Sequence, residues 1–245
     1  MENRTILVTG SSSGIGQAIT KRFLSAGATV IGLARKHHQV YALSDKYQTF
    51  EFDMAQLKNI PDFIKGILIS HPKLDGFVSS MGFGLFDNLE NLSLEQISSY
   101  INTNLISQIA MTKYLIPHFK SKKQGDIVFI GSEAALKGAK KSSLYSAAKF
   151  GLRGFSQSLR EECSSSNVRV SIVNPGMVRT PFFRDLTFNP GDDPENAIEP
   201  EDLAEIVYTI FAMRPGTLID EVNVTPQKKV VKHEPKGVQS NNNRD

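Results

Sequence analysis

Cysteine is almost missing from this chain: Cys163 is the single one in 245 residues. No intrachain disulfide can therefore form, and no spacing of cysteines and histidines offers a zinc site. His37 and His38 are neighbours in sequence, so on a helix or a strand they point in different directions. Long apolar runs are missing too, and nothing approaches the roughly 20 residues that cross a bilayer. The apolar stretch in "MENRTILVTGSSSG" is too short for the centre of a secretory signal. Neither a metal centre nor a membrane span is expected, and the expected setting is the cytoplasm.

A basic surface is also lacking in the body of the chain. The formal charge is +3. Lys228, Lys229, Lys232, Lys236 and Arg244, set against Glu234 and Asp245, account for all of it, so the residues up to Gln227 balance to zero. Nucleic-acid binders carry their basic patch within the domain, and that class is not expected. The tail reads as a solvated, frayed terminus. What is present is ordinary for a globular protein: 40% hydrophobic and 22% charged residues, in a length that suits one α/β domain.

Short apolar runs alternate with helical periodicity. "RTILVT", "ATVIGLAR", "YQTFEF", "LDGFVSSM", "GDIVFIGS", "VRVSIVNPG" and "TLIDEVNV" read as seven strands. Helical segments lie between most of them. The longest is expected over 94–119 as one continuous helix, and another over 143–162. This alternation predicts βαβ units, hence a doubly wound parallel sheet with helices on both faces. Residues 1–230 read as one domain. The stretch 182–200, "FFRDLTFNPGDDPENAIEP", is too polar and broken for core and long enough for a functional loop or lid. Residues 231–245 read as a polar, disordered tail.

The turn "TGSSSGIG", 9–16, follows the first strand and opens the first helix. In that context Gly10 can make a tight turn, Gly14 can admit a pyrophosphate, and Gly16 can let helix and sheet approach. The second strand ends in "GLARK", without the carboxylate that holds an NAD ribose. Arg35 stands there instead, and a guanidinium suits the 2′-phosphate of NADP. Asp53, after the third strand, is placed either to bond an adenine amino group or to cap the next helix. In "SLYSAAKFG", 143–151, Tyr145 and Lys149 share a helix face. Alone, that pair reads equally well as two solvated side chains.

Together with Ser132, Asn104 in "INTNLIS" and "NPGMVRT", these pieces resemble the short-chain dehydrogenases/reductases, in their compact single-domain branch, over residues 3–230. The resemblance implies a Rossmann-type fold and an NADP(H)-dependent oxidoreductase that interconverts a carbonyl and a secondary alcohol. It implies that Tyr145 is the general acid or base, and that the Lys149 ammonium lowers the tyrosine pKa. Ser132 would polarise the substrate oxygen, and Asn104 would hold a water in a proton relay. It puts the phosphates on Gly10, Ser12, Ser13, Gly14, Ile15 and Gly16, and the adenosine on Arg35, Asp53 and Met54. The nicotinamide side would fall to Ser80, Gly82, Tyr145, Lys149, Pro175, Gly176, Val178 and Thr180. NADP(H) is preferred over NAD(H), and pairing of the two long helices implies a dimer or tetramer.

Two departures from the family pattern stand out. "SSMG", 79–82, replaces an "NNAG"-like turn and puts Met81 near the expected cofactor ribose. Glu133 follows Ser132 where small or apolar residues are usual. It faces either a polar substrate or the solvent. Phe83, Phe86, Met177, Phe182 and Phe183 are candidates for an apolar substrate wall. A non-catalytic NADP(H)-binding sensor on the same fold is the alternative function, although such a protein would be expected to lose the tyrosine or the lysine. A lyase or epimerase with built-in NAD would carry a different glycine spacing.

Overall fold

The computed structural model describes residues 1–37 and 45–233. His38 and the tail residues Glu234, Lys236, Arg244 and Asp245 lie outside them. The chain runs β1 (Thr5–Thr9), α1 (Gly14–Ser25), β2 (Thr29–Ala34), β3 (Tyr47–Glu51), α2 (Ile60–Ser70) and β4 (Gly76–Ser79). Next come α3 (Leu94–Ile101), α4 (Ser107–Lys122), β5 (Gly125–Ile130), α5 (Ser143–Cys163) and β6 (Val168–Pro175). The remainder is β7 (Phe188–Pro190), α6 (Pro200–Ala212), β8 (Glu221–Val224) and β9 (Val231–His233).

Seven of the strands form one sheet in the order β3-β2-β1-β4-β5-β6-β8. Each neighbouring pair in it is parallel. The sequence explains the arrangement. β1, "TILVT", is buried at every residue, as a strand covered on both faces must be. Its side chains alternate: Leu7 joins Ile31, Phe77 and Phe129 in one core, with Ile64 of α2 and Leu115 of α4. Ile6 and Val8 join Val30 and Val78 in the other, with Phe23 of α1 and Phe211 of α6. Strand order reverses between β1 and β4, and in such sheets the crevice at the carboxyl ends of the two strands is where ligands bind.

Three expectations need correction. The predicted helix over 94–119 is interrupted: a π turn spans Asn102–Ile106 between α3 and α4. Its wider winding is stabilised by side chain to backbone bonds that hydropathy does not report. The stretch 182–200 is not a bare loop, since it contains β7. The tail does not begin at 231, because Val231–His233 pairs antiparallel with Phe188–Pro190.

Candidate active site

The glycine turn lies where β1 and β4 end side by side. Gly10 and Gly14 have φ of +69° and +52°, which disfavours any side chain. A Cβ on Gly10 would sit 2.6 Å from the Ser80 carbonyl oxygen, and one on Gly16 only 2.3 Å from the Gly10 oxygen. Backbone therefore touches backbone here. Ser13, at the N-cap of α1, makes no side-chain cap, and the first turn of the helix holds no acidic residue. The leading N–H groups of α1 are left with a positive partial charge and no carboxylate to answer it. This cradle fits the pyrophosphate of a dinucleotide. Ser12 and Ile15 are half-buried within it. A Cβ on Gly14 would reach within 3.1 Å of the Thr180 methyl, so the turn meets the "NPGMVRT" segment that follows β6.

Arg35 is exposed just past β2, open to a ligand phosphate. Asp53 is exposed too, and its Oδ1 accepts from the Ala55 amide at 3.0 Å, the turn-capping use. Met54 is buried in the first core, which leaves only its backbone to a nucleotide. The Ser80 amide donates to Thr9 Oγ1 at 3.1 Å. Met81 does not project as expected: its side chain packs on the core, and its sulfur accepts from Ser107 Oγ at 3.9 Å. Pro175 closes β6, the Gly176 amide donates to the Val224 carbonyl at 2.7 Å, and Val178 packs in the second core.

Ser132 follows β5 and opens a short helical turn, where its Oγ accepts from the Ala134 amide at 3.1 Å. Tyr145 and Lys149 sit one turn apart near the start of α5, both buried. Lys149 Nζ donates to the Ile130 carbonyl at 3.0 Å and stands 6.0 Å from the Tyr145 ring centroid. Burial pulls the Lys149 ammonium down to about 8. Burial likewise pushes the Tyr145 hydroxyl up to about 12; its hydrogen bond with Ser132 opposes this, and the Glu133 charge adds to it. The expected lowering by Lys149 does not dominate in this structure. Desolvation of the phenolate outweighs it, and the ammonium is engaged with a carbonyl oxygen.

Asn104 lies in the π turn, buried and locally satisfied. Its Oδ1 accepts from the Phe83 amide at 3.0 Å, and its Nδ2 donates to the Tyr100 carbonyl at 3.1 Å. Gln108 Nε2 donates to the Asn104 carbonyl at 2.5 Å, while Gln108 Oε1 accepts from Ser79 Oγ at 2.8 Å. Gln108 thus ties the π turn to the end of β4, and the sequence reading missed it. The signal was a glutamine four residues after Asn104, on a helix face that also carries Met111, Leu115 and Phe119. Gly82, at φ +152°, is needed because a Cβ there would lie 2.7 Å from Asn104 Oδ1.

Aromatic rings surround Tyr145. Phe86 lies tilted against it at 4.8 Å between centroids, and Phe182 stands edge-on at 6.2 Å. Phe188, which the sequence did not single out, packs on Phe86 at 5.0 Å; Phe183 packs on Phe182 at 5.2 Å. Phe83 is turned elsewhere, onto Tyr100 at 5.1 Å. Met177 is buried, its carbonyl accepting from the Ile198 amide at 2.9 Å.

Among the described residues, Lys228, Lys229 and Lys232 of the basic stretch after Gln227 are each paired with a carboxylate. Lys229 Nζ meets both Glu133 oxygens, at 2.7 and 2.8 Å. Lys228 meets Glu195 at 2.5 Å, and Lys232 pairs with Asp192. The Lys228 amide donates to the Glu195 carbonyl at 2.9 Å, and the Gly191 amide to the Val230 carbonyl at 3.0 Å. With the β7–β9 pairing, these contacts make a strap across the 182–200 segment. Among the described residues, no helix is long and apolar enough to cross a membrane. Nor does any group of three or more His, Cys, Asp or Glu among them suit a metal ion.

Comparison with known proteins agrees with this layout. A curated relative, the NADP-dependent 3-hydroxy acid dehydrogenase of Schizosaccharomyces pombe, is 28% identical over 92% of this chain and 93% of its own. The 3-oxoacyl-(acyl-carrier-protein) reductase of Buchnera aphidicola is 32% identical over 76% of this chain and 78% of its own. Among solved structures, a metagenomic short-chain oxidoreductase in complex with NADP superposes with a TM-score of 0.80 at 28% identity, covering 93% of this chain and 99% of that one. The model of the short chain dehydrogenase family matches residues 4–190, most of the chain, and the protein belongs to that family of oxidoreductases.

Proposed function

We propose that residues 1–230 form one NADP(H)-binding domain that interconverts a carbonyl and a secondary alcohol, with NADP(H) preferred over NAD(H). The observation that carries this is that Tyr145 and Lys149 lie buried one turn apart on α5, with Lys149 reaching the Ile130 carbonyl at the end of β5, two residues before Ser132. When bound, the nicotinamide supplies or accepts the hydride. Every other task falls to side chains of this chain. Ser132 holds and polarises the substrate oxygen. Tyr145, protonated at neutral pH as a tyrosine ordinarily is, enters a reduction as the proton donor. In oxidation Tyr145 acts as base, and the Lys149 ammonium stabilises its phenolate. Asn104 shapes the π turn beside them.

Gly10, Ser12, Ser13, Gly14, Ile15 and Gly16 would hold the pyrophosphate, with Arg35 on the 2′-phosphate and Asp53 and the Met54 backbone beside the adenine. Ser80, Gly82, Pro175, Gly176, Val178 and Thr180 would line the nicotinamide side. Relatives named as NADP-dependent or holding NADP support the choice of nucleotide. We place the protein in the cytoplasm, with neither nucleic acid nor membrane as partner. Ile106, 38% exposed, and Phe150, 44% exposed, give the two long helical segments apolar surface for a dimer or tetramer.

A fluorescence titration with NADPH and NADH tests the reading. Wild type should bind NADPH about tenfold more tightly, and Arg35→Ala should bring the two together, a change of about 1.4 kcal/mol. Tyr145→Phe should still bind NADPH while turnover falls by about 10² to 10⁴. Failure of wild type to bind either nucleotide would end the proposal. Full binding with no turnover of any carbonyl or alcohol would favour a sensor.

A further inference from the structure

The reading of the site as a carbonyl–alcohol centre, on which this section rests, leaves the body of the substrate open. The surroundings of Tyr145 narrow it. Phe86 and Phe182 flank the reactive ring, and Phe188 backs Phe86. These rings arrive from separate segments: the stretch after β4, the turn after Thr180, and β7. Phe86, Phe182 and Phe188 all keep part of their surface in water. Large half-exposed rings gathered on one reactive hydroxyl form a ligand wall rather than a sealed core. Gly84 lets two of them come close together, since a Cβ there would stand 2.7 Å from Phe86 and 2.8 Å from Phe182.

Charge adds little here, because Glu133, which directly follows Ser132, is paired through both oxygens with Lys229. Lys149 donates to the Ile130 carbonyl. A substrate carboxylate set among the phenylalanines would be desolvated there, a heavily penalised position.

We propose that the substrate is an uncharged ketone or aldehyde, or the matching alcohol, with an aryl or similar apolar group packed on the exposed faces of Phe86 and Phe182, and that oxo and hydroxy carboxylates are disfavoured there. In the reduction the carbonyl carbon gains hydride from NADPH and its oxygen gains the Tyr145 proton. Solvent then reprotonates the phenolate, leaving the alcohol and NADP⁺. This sets the chain apart from relatives named for 3-hydroxy acids.

The test follows NADPH consumption by the purified protein with three probes: acetophenone, acetoacetate and methyl acetoacetate. The ester should exceed the acid in kcat/KM by about tenfold or more, with acetophenone also turned over. Phe182→Ala and Phe86→Ala should lower the ratio of acetophenone to ester about tenfold, mostly through KM. Phe182→Leu, which keeps bulk but not the flat ring, stands in if an alanine variant fails to fold, and should lower the same ratio. A preference for acetoacetate over its ester, or a ratio that the phenylalanine changes leave alone, would overturn the inference while the oxidoreductase reading survived. No turnover of any probe by a protein that binds NADPH would overturn both.

Discussion

The glycine turn and the 182–200 segment meet at Gly14 and Thr180, yet they are held by different forces. In the turn, backbone packs on backbone: Gly10 against Ser80, Gly16 against Gly10. In the segment, aromatic rings and exposed ion pairs do the holding, and the partner strand comes from more than 40 residues further along the chain. The first arrangement tolerates no added atom. The second can open and reclose, since exposed ion pairs are each worth only about 0–1 kcal/mol. On the proposed function, the rigid turn would hold the nucleotide and the re-closable segment would cover the substrate.

Gly16→Ala is the harshest way to test the rigid side. Its Cβ would stand 2.3 Å from the Gly10 oxygen and 2.7 Å from the Gly10 carbonyl carbon, and neither can swing aside as a side chain tip can. The expected loss is about 3 kcal/mol of stability, at the upper end for overpacking. Thermal denaturation should show it, together with lost NADPH binding. A variant that melted within a degree of wild type would show the cradle to be softer than its packing implies.

Lys149, at the junction of the two regions, should give a smaller effect of opposite sign. Burial lowers its pKa from 10.5 to about 8. The folded state therefore binds fewer protons than the unfolded state between those values, and stability rises with pH across that window. Below pH 8 the buried ammonium costs about 3 kcal/mol relative to an unperturbed lysine. Lys149→Met removes this cost but leaves the Ile130 carbonyl unpaired, which returns about 1 kcal/mol. The variant should be about 2 kcal/mol more stable than wild type at pH 7 and inactive, and its advantage should fade between pH 8 and 10.5. Urea unfolding at three pH values would read this. An advantage constant with pH would mean that the lysine is not the cause.

The rigid side was readable because its constraints are local. "TGSSSGIG" after a buried strand and before a helix leaves few conformations, and the central strands of the sheet announced themselves as short apolar runs. Tyr145 and Lys149 were readable by helical spacing. Asn104 was noticed, but the π turn around it was not, because it depends on Gln108 reaching both Ser79 and the Asn104 carbonyl. Hydropathy does not encode such bonds. Glu133 stayed ambiguous for a similar reason. Its partner, Lys229, lies 96 residues on, in a stretch read as solvated tail. Three lysines that looked like surplus charge instead answer three carboxylates at the margin of the site.

The gentlest test concerns that strap. Replacing Lys228, Lys229 and Lys232 together by Gln removes three ion pairs and keeps the β7–β9 backbone pairing available. Each pair is largely exposed, so the summed loss should be about 1 kcal/mol and the protein should remain folded. The effect should appear at the cover rather than in the cradle. KM for a carbonyl substrate should rise about fivefold, the equivalent of that energy, while NADPH affinity barely changes. Wild-type KM should also climb with added salt, because screening weakens the same pairs, and the triple variant should lose that dependence. If salt acted equally on both proteins, the lysines would be bystanders and the aromatic rings alone would hold the segment over Tyr145.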